Sequence, residues 1–280
     1  MKKALVSYNT LLCARVEEIL EKFNRSNVPV ILLKGIALLH DTYEDPGERA
    51  MGDVDILIRP EDLEKTKSIL IGNGFSFVHG NMSNAVVYGI KAPFEMYIDL
   101  HWSLANPRSP SQPKIYAPNE AVIWNRAAPI RFGQQKAFTL CPEDRVVYLC
   151  FHALKERFSS DKWLRDLSLL IQKKRKEINK EDFIRTAKKS GTLKLCSMII
   201  DYLSATNKCN VHLFRDDRLE DEFSLYRGES ALFRFLLKQK LYPLREALWI
   251  ISMDSAGKKA EFLKNLISYI PRKIFKIKYE

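Results

Sequence analysis

Two short stretches carry the residue types and spacing that chemistry needs. In Asp53-Val54-Asp55-Ile56-Leu57-Ile58 acid and apolar residues alternate. A strand's side-chain period of two puts Asp53 and Asp55 on one face, about 7 Å apart, and Val54, Ile56 and Ile58 on the other. Two carboxylates that close repel each other. A divalent cation, which takes hard oxygen ligands, is the natural reason to hold them there. The pattern recurs in Glu95-Met96-Tyr97-Ile98-Asp99-Leu100-His101-Trp102, where Glu95, Tyr97, Asp99 and His101 share one face. If this strand lies beside the first, Asp99 joins Asp53 and Asp55. Three carboxylates can hold two metal ions about 3.5–4 Å apart, a geometry for in-line phosphoryl transfer.

A third piece precedes them. The apolar run Val28 to Leu33 ends in Lys34-Gly35, and Ile36 to His40 reads as a short helix. A strand–Lys-Gly–helix junction sets a cation and a small residue at a helix N-terminus. Free backbone N–H groups suit phosphate there, and the missing side chain lets it approach. Arg49, four residues before Asp53, adds a charge able to counter a triphosphate.

The elements that must position these residues follow from periodicity. Leu11, Leu12, Val16, Ile19, Leu20 and Phe23 mark a helix over 10–25. Strands are expected at 28–33, 53–58, 75–79, 85–91 and 94–102, with a helix over 60–72 opened by Pro60. Residues 105–120 carry Pro107, Pro110, Pro113 and Pro118 and read as a loop or linker. A hairpin over 128–140 turns at Gly133. From Pro142 the pattern becomes helical: 142–158, 161–174, 180–190, 192–206, 229–251 and 257–270. Strands first and helices later predict an α+β chain: a mixed-sheet domain with flanking helices over 1–140, then an all-α domain over 141–280.

Composition sets the outer bounds. A chain of 280 residues that is 46% hydrophobic and 28% charged is neither collagen-like nor wholly disordered. Its apolar runs fall short of the roughly 20 residues that span a bilayer, and its N-terminus is too polar for a signal peptide. Five cysteines without a C-x-x-C pair predict buried free thiols and a reduced, cytoplasmic protein. The net charge of +11 is uneven. Residues 1–140 carry 16 basic against 15 acidic side chains, and residues 141–280 carry 29 against 19. A basic half suggests an anionic partner such as nucleic acid, or simply a solvated helical surface. Residues 258–280 hold seven basic and two acidic residues interleaved with apolar ones, a pattern compatible with peripheral membrane contact or with a helix packed on its own domain.

Taken together, Leu32-Leu33-Lys34-Gly35, Arg49-x-x-x-Asp53-x-Asp55-x-Leu57 and Ile98-Asp99-Leu100-His101-Trp102 resemble the uncharacterised nucleotidyltransferase family of the DNA polymerase beta-like superfamily. Leu140-x-Pro142-Glu143-Asp144, Leu149-x-x-His152 and Trp163-Leu164-x-Asp166-Leu167 resemble that family's helical part. The abortive-infection nucleotidyltransferase toxins have a similar layout. The resemblance implies a polymerase beta-like fold and transfer of a nucleoside monophosphate from an NTP, with ATP favoured, to an acceptor. It also implies that Asp53, Asp55 and Asp99 bind the metal, two Mg²⁺ ions with Mn²⁺ as a substitute. Asp99 would serve as general base, and Lys34, Gly35 and Arg49 would bind the nucleotide. Ile36 and Gly52 depart from the superfamily pattern, which has a second small residue after the glycine and often a Ser before the first Asp.

Four further residues are candidates for the cleft. His101 is placed to orient Asp99 or touch the acceptor. His152 and Lys155 are three apart and share a helix face. The toxin relatives that this chain resembles place Lys and Asp residues in helices lining the cleft, which makes Lys155 and Asp166 candidates. Three functions follow. The acceptor is a small molecule, peptide or protein; or it is an RNA end such as that of tRNA; or the chain is a non-catalytic nucleotide- or partner-binding relative.

Overall fold

The computed structural model describes residues 2–80, 83–106, 108–109, 115–206, 227–238, 242–253, 256–261 and 263–264. Helix α1 runs Lys2–Arg25 and buries Leu12, Val16, Ile19, Leu20 and Phe23 on one face. It starts eight residues earlier than the apolar spacing predicts. The extra turns are anchored by a polar residue: buried Asn9 donates through Nδ2 to the carbonyls of Pro46 (2.5 Å) and Arg49 (2.8 Å). Hydrophobic periodicity carries no sign of such an anchor.

Strand β1 (Ile31–Leu32) feeds α2 (Lys34–Asp41). Strand β2 (Val54–Leu57), α3 (Leu63–Gly72), β3 (Ser76–Gly80), β4 (Ala85–Ile90) and β5 (Met96–His101) follow. The proline-rich stretch closes on a helix that the sequence reading lacks, α4 (Glu120–Arg126), capped where Asn119 Oδ1 accepts from the Val122 N–H. The expected hairpin is β6 (Ala128–Phe132) and β7 (Gln135–Thr139). Then come α5 (Pro142–Lys155), α6 (Lys162–Lys173), α7 (Lys180–Ser190) and α8 (Leu193–Ala205). The helix expected over 229–251 is two, α9 (Arg227–Lys238) and α10 (Tyr242–Ile251).

The strands form one mixed sheet of seven in the order β3-β4-β5-β2-β1-β7-β6. β2 runs parallel to β5, β1 runs parallel to β7, and the remaining neighbours are antiparallel. Val54, Ile56, Ile58, Met96, Ile98 and Leu100 share one core with the buried face of α1 and Leu70 of α3. The alternation read from the sequence is therefore the alternation of the sheet, one face apolar and the other free for polar groups.

By contact the chain divides into two compact units. The first holds residues 1–106, 118–146 and 165–178, including the whole sheet. It takes in most of α6, whose basic end is matched by acids: Lys173 pairs with Glu44 (2.6 Å) and Lys174 with Asp41 (3.3 Å) and Glu177 (3.1 Å). The second unit holds residues 107–117, 147–164 and 179–280. Its packing is aromatic, with Tyr116 on Phe151 (ring centroids 4.6 Å apart) and Phe158 edge-on to Phe233 (5.5 Å). The buried thiols of Cys150 and Cys196 interact in its core, and burial pushes the Cys150 thiol up. Residues 265–280 of the basic C-terminal segment, and Cys209, lie outside the described residues. Among those described, no helix is long and apolar enough to cross a membrane.

Candidate active site

The site grows from the parallel pairing of β2 with β5. Their register sets Asp55 opposite Asp99 and Leu57 opposite His101. Neighbouring strands lie about 4.8 Å apart, so the two acids stand side by side on the face away from the core. Asp55 is buried, at 3% exposure. Two carboxylates in such a place would each favour the protonated form unless something answered their charge.

Two groups answer it. Lys34 Nζ makes a direct ion pair with Asp55 Oδ1. His101 Nε2 lies 3.2 Å from the same oxygen and 3.0 Å from Asp99 Oδ2. Burial alone would raise the Asp55 carboxyl, but Lys34 and His101 outweigh it and hold it far below the usual carboxylate range. Burial likewise opposes charge on His101, and the hydrogen bonds to Asp55 and Asp99 outweigh it and raise the imidazole's affinity for a proton. Asp55, Asp99 and His101 offer ligand atoms that all lie within 4.8 Å of one another.

The backbone fixes Lys34 where it is needed. The Leu33 N–H donates to the Asp55 carbonyl (3.0 Å), which ties the end of β1 to the middle of β2. Lys34 then opens α2 with φ of +42°. A side chain in that left-handed region costs about 1–3 kcal/mol, and such cost is met at positions that surrounding contacts over-determine.

Asp53 precedes β2, is exposed, and is not among the atoms that converge on Asp55 and Asp99. Its charge is felt at Tyr8, whose hydroxyl is raised chiefly by burial and further by Glu95 and Asp53.

Arg49 is buried at 6% exposure and grips Asp166 on α6 with two parallel hydrogen bonds, Nε to Oδ1 (2.9 Å) and Nη2 to Oδ2 (2.8 Å). The Tyr43 hydroxyl donates to the same Oδ1 at 2.7 Å. The remaining arm of Arg49 lies against Gly35, where a Cβ would collide with Nη1 and come within 2.8 Å of Met51 Sδ. Gly35 thus has a packing reason to lack a side chain. Arg165, beside Asp166, pairs with Glu48 at 3.2 Å.

His152 and Lys155 belong to the second unit. His152 is buried and meets Trp163 edge to face at 4.6 Å, and Lys155 is half-buried at the end of α5. The sequence reading missed a clamp on α2. Arg145 donates to both oxygens of Asp41 (2.8 and 2.9 Å) and to the Ala37 carbonyl (2.8 Å), which steadies the far end of the helix that begins with Lys34. No local signal joins residues 104 apart in the chain.

These groups stand on a mixed seven-stranded sheet, and the class of the chain is a nucleotidyltransferase. The chain belongs to the uncharacterised nucleotidyltransferase family, whose pattern matches residues 2–206. Among curated proteins no match is found. Among solved structures it is similar to a lincosamide antibiotic adenylyltransferase bound to lincomycin, at 18% identity over 55% of this chain and 93% of that one, TM-score 0.42. It is also similar to an antigenic nucleotidyltransferase-like protein from Paracoccidioides brasiliensis, at 18% identity over 57% and 75%, TM-score 0.41. A third is a CCA-adding enzyme in complex with ATP, at 13% identity over 94% and 84%, TM-score 0.29.

Proposed function

We propose that this protein transfers the nucleoside monophosphate of an NTP, with ATP as the first candidate, onto a hydroxyl of a small-molecule, peptide or protein acceptor, and that the transfer depends on a divalent cation. The observation that carries the reading is the pairing of Asp55 with Asp99 on adjacent parallel strands, with Lys34 on Asp55. The donor set fits a hard cation: two carboxylates side by side, one of them buried and held ionised. Asp55 and Asp99 hold the ion, with exposed Asp53 as the further carboxylate for a second one; Mg²⁺ is the expected metal and Mn²⁺ its substitute. Bound there, the cation offsets negative charge on the triphosphate and on the leaving pyrophosphate.

The chain's own residues do the rest. Lys34 carries the ammonium that meets phosphate at the start of α2, and Gly35 leaves beside it the room that the Arg49 guanidinium fills. Arg49, held by Asp166, packs against Gly35 at the start of α2. Asp99, with a side chain 19% exposed against 4% for Asp55, is the more accessible carboxylate and takes the proton of the acceptor hydroxyl. Residues 1–140 supply the nucleotidyltransferase domain in this reading and residues 141–280 the helical domain.

A thermal-shift panel of ATP, GTP, CTP and UTP with Mg²⁺ tests the proposal on wild type, Asp55→Asn and Asp99→Asn. A ligand at about 100 times its dissociation constant stabilises the fold by about 2.7 kcal/mol. A cation-dependent shift present in wild type and lost in both variants is expected. No shift with any nucleotide at saturating cation would overturn it.

A further inference from the structure

His101 sits two residues beyond Asp99 on the same face of β5 and is 3% exposed. Its Nε2 reaches Asp99 Oδ2 at 3.0 Å and Asp55 Oδ1 at 3.2 Å, so one ring nitrogen joins carboxylates from two different strands. Those distances suit two descriptions. They are ordinary N–H···O separations. They are also close to the spacing of adjacent donors around one small octahedral cation, about 3.0 Å for ligand bonds of roughly 2.1 Å.

The other ring nitrogen bears on the choice. Nδ1 of His101 is buried and has no hydrogen-bond partner among the described residues. A histidine that ligates a metal through one nitrogen carries its proton on the other, and that N–H is nearly always given to a carboxylate, carbonyl or water. Ligation through Nε2 would strand an N–H at Nδ1. Donation from Nε2 puts the proton toward Asp55 Oδ1, which is within hydrogen-bond geometry, with Asp99 Oδ2 in ion-pair contact at 3.0 Å. The acceptors are specific. His101 and Lys34 both converge on Oδ1 of Asp55, and His101 takes Oδ2 of Asp99. Among the described residues, Asp55 Oδ2 and Asp99 Oδ1 receive no hydrogen bond.

We propose that His101 is a positioning residue: its Nε2–H ties Asp99 Oδ2 to Asp55 Oδ1 and so presents Asp55 Oδ2 and Asp99 Oδ1 together as the cation's ligands. This rests on the reading that Asp55 and Asp99 hold the cation. Parallel strands alone do not set side-chain torsions, and without the tie two like charges would turn apart.

Mn²⁺ binding to the full chain, followed by electron paramagnetic resonance with and without ATP, tests this in wild type, His101→Gln, His101→Asn and His101→Leu. The Gln amide nitrogen reaches near the place of Nε2, whereas the Asn amide ends near Nδ1. Loss of an outer partner of a ligand typically weakens metal binding about 10–100-fold. His101→Asn and His101→Leu are expected to show that loss, with His101→Gln recovering most of it. No nitrogen coupling to Mn²⁺ is expected from residue 101. If the leucine variant fails to fold, the Gln–Asn pair carries the comparison. Equal affinity in all folded variants would reduce His101 to a packing residue. A directly bound imidazole nitrogen, present in wild type and absent in every variant, would make it a ligand instead. If wild type itself binds no Mn²⁺ in either state, the cation reading fails and the inference falls with it.

Discussion

The Arg49–Asp166 pair gives the sharpest test of how this site is built. Asp166→Leu removes a carboxylate that is 1% exposed and leaves the Arg49 guanidinium, 6% exposed, with its three charged hydrogen bonds to that carboxylate unmet. Breaking one side of a buried ion pair costs about 3–5 kcal/mol, whereas replacing both sides with apolar groups of similar volume is often close to neutral. At about 2–4 °C per kcal/mol for domains of roughly 150–250 residues, the single variant should melt about 6–20 °C below wild type. Arg49→Met/Asp166→Leu should recover most of this, keeping a deficit of about 1 kcal/mol because the Tyr43 hydroxyl loses its acceptor. Urea unfolding of the four proteins of the cycle supplies the coupling energy, and the nucleotide thermal shift supplies the functional readout. Effects that add to within about 0.5 kcal/mol would show that the pair is not a unit and refute the reasoning. Tighter ATP binding by Asp166→Leu, with its freed guanidinium, would return Arg49 to direct phosphate contact.

Gly35→Ala should destabilise by about 1–3 kcal/mol, since the colliding Arg49 arm is held by Asp166 and cannot move aside; Tm and nucleotide shift read this out. Lys34→Met should lower the metal-free Tm and enlarge the stabilisation by Mg²⁺, because the cation then supplies the charge Asp55 has lost; an Mg²⁺ effect equal to wild type would refute it. Burial would raise the Asp41 carboxyl, but Arg145 and then Thr42 and Lys174 overcome it and hold it below its ordinary value. Its stabilising share is therefore complete above about pH 4 and is lost as pH falls through the lowered folded value. Arg145→Met should lag wild type in Tm most near neutrality, and the gap should narrow below about pH 4; a gap constant with pH would assign the loss to packing alone.

What could be read from residues alone divides by distance in the chain. Strand alternation is local, so the faces of β2 and β5 were legible: Val54, Ile56, Met96, Ile98 and Leu100 all lie in the core. The start of α1 was not, because Asn9 holds it by hydrogen bonds that leave no apolar period. Nor was α4, which hides behind prolines and is announced by a single capping Asn119. Within the site the same rule holds. An acidic partner for Asp55 was expected on the later strand, and the register places Asp99 opposite it. The partnership of Arg49 with Asp166 was invisible, since nothing near either residue names the other across 117 positions. Both were read as cleft or phosphate residues on their own.

That separation of 117 positions also sets a clock. A ribosome adds about 5–20 residues per second. After Arg49 is made, roughly 6–23 s pass before Asp166 exists to receive it. Through that interval the growing chain can pair β2 with β5 and bring Asp55 against Asp99, while the loop carrying Tyr43 and Arg49 has no carboxylate to close on. The unit that holds the sheet therefore finishes folding only when α6, a helix from the later part of the chain, has left the exit tunnel. A nascent chain stalled before residue 166 should hold its sheet and remain open to proteolysis between Tyr43 and Arg49, a window that closes as translation moves on.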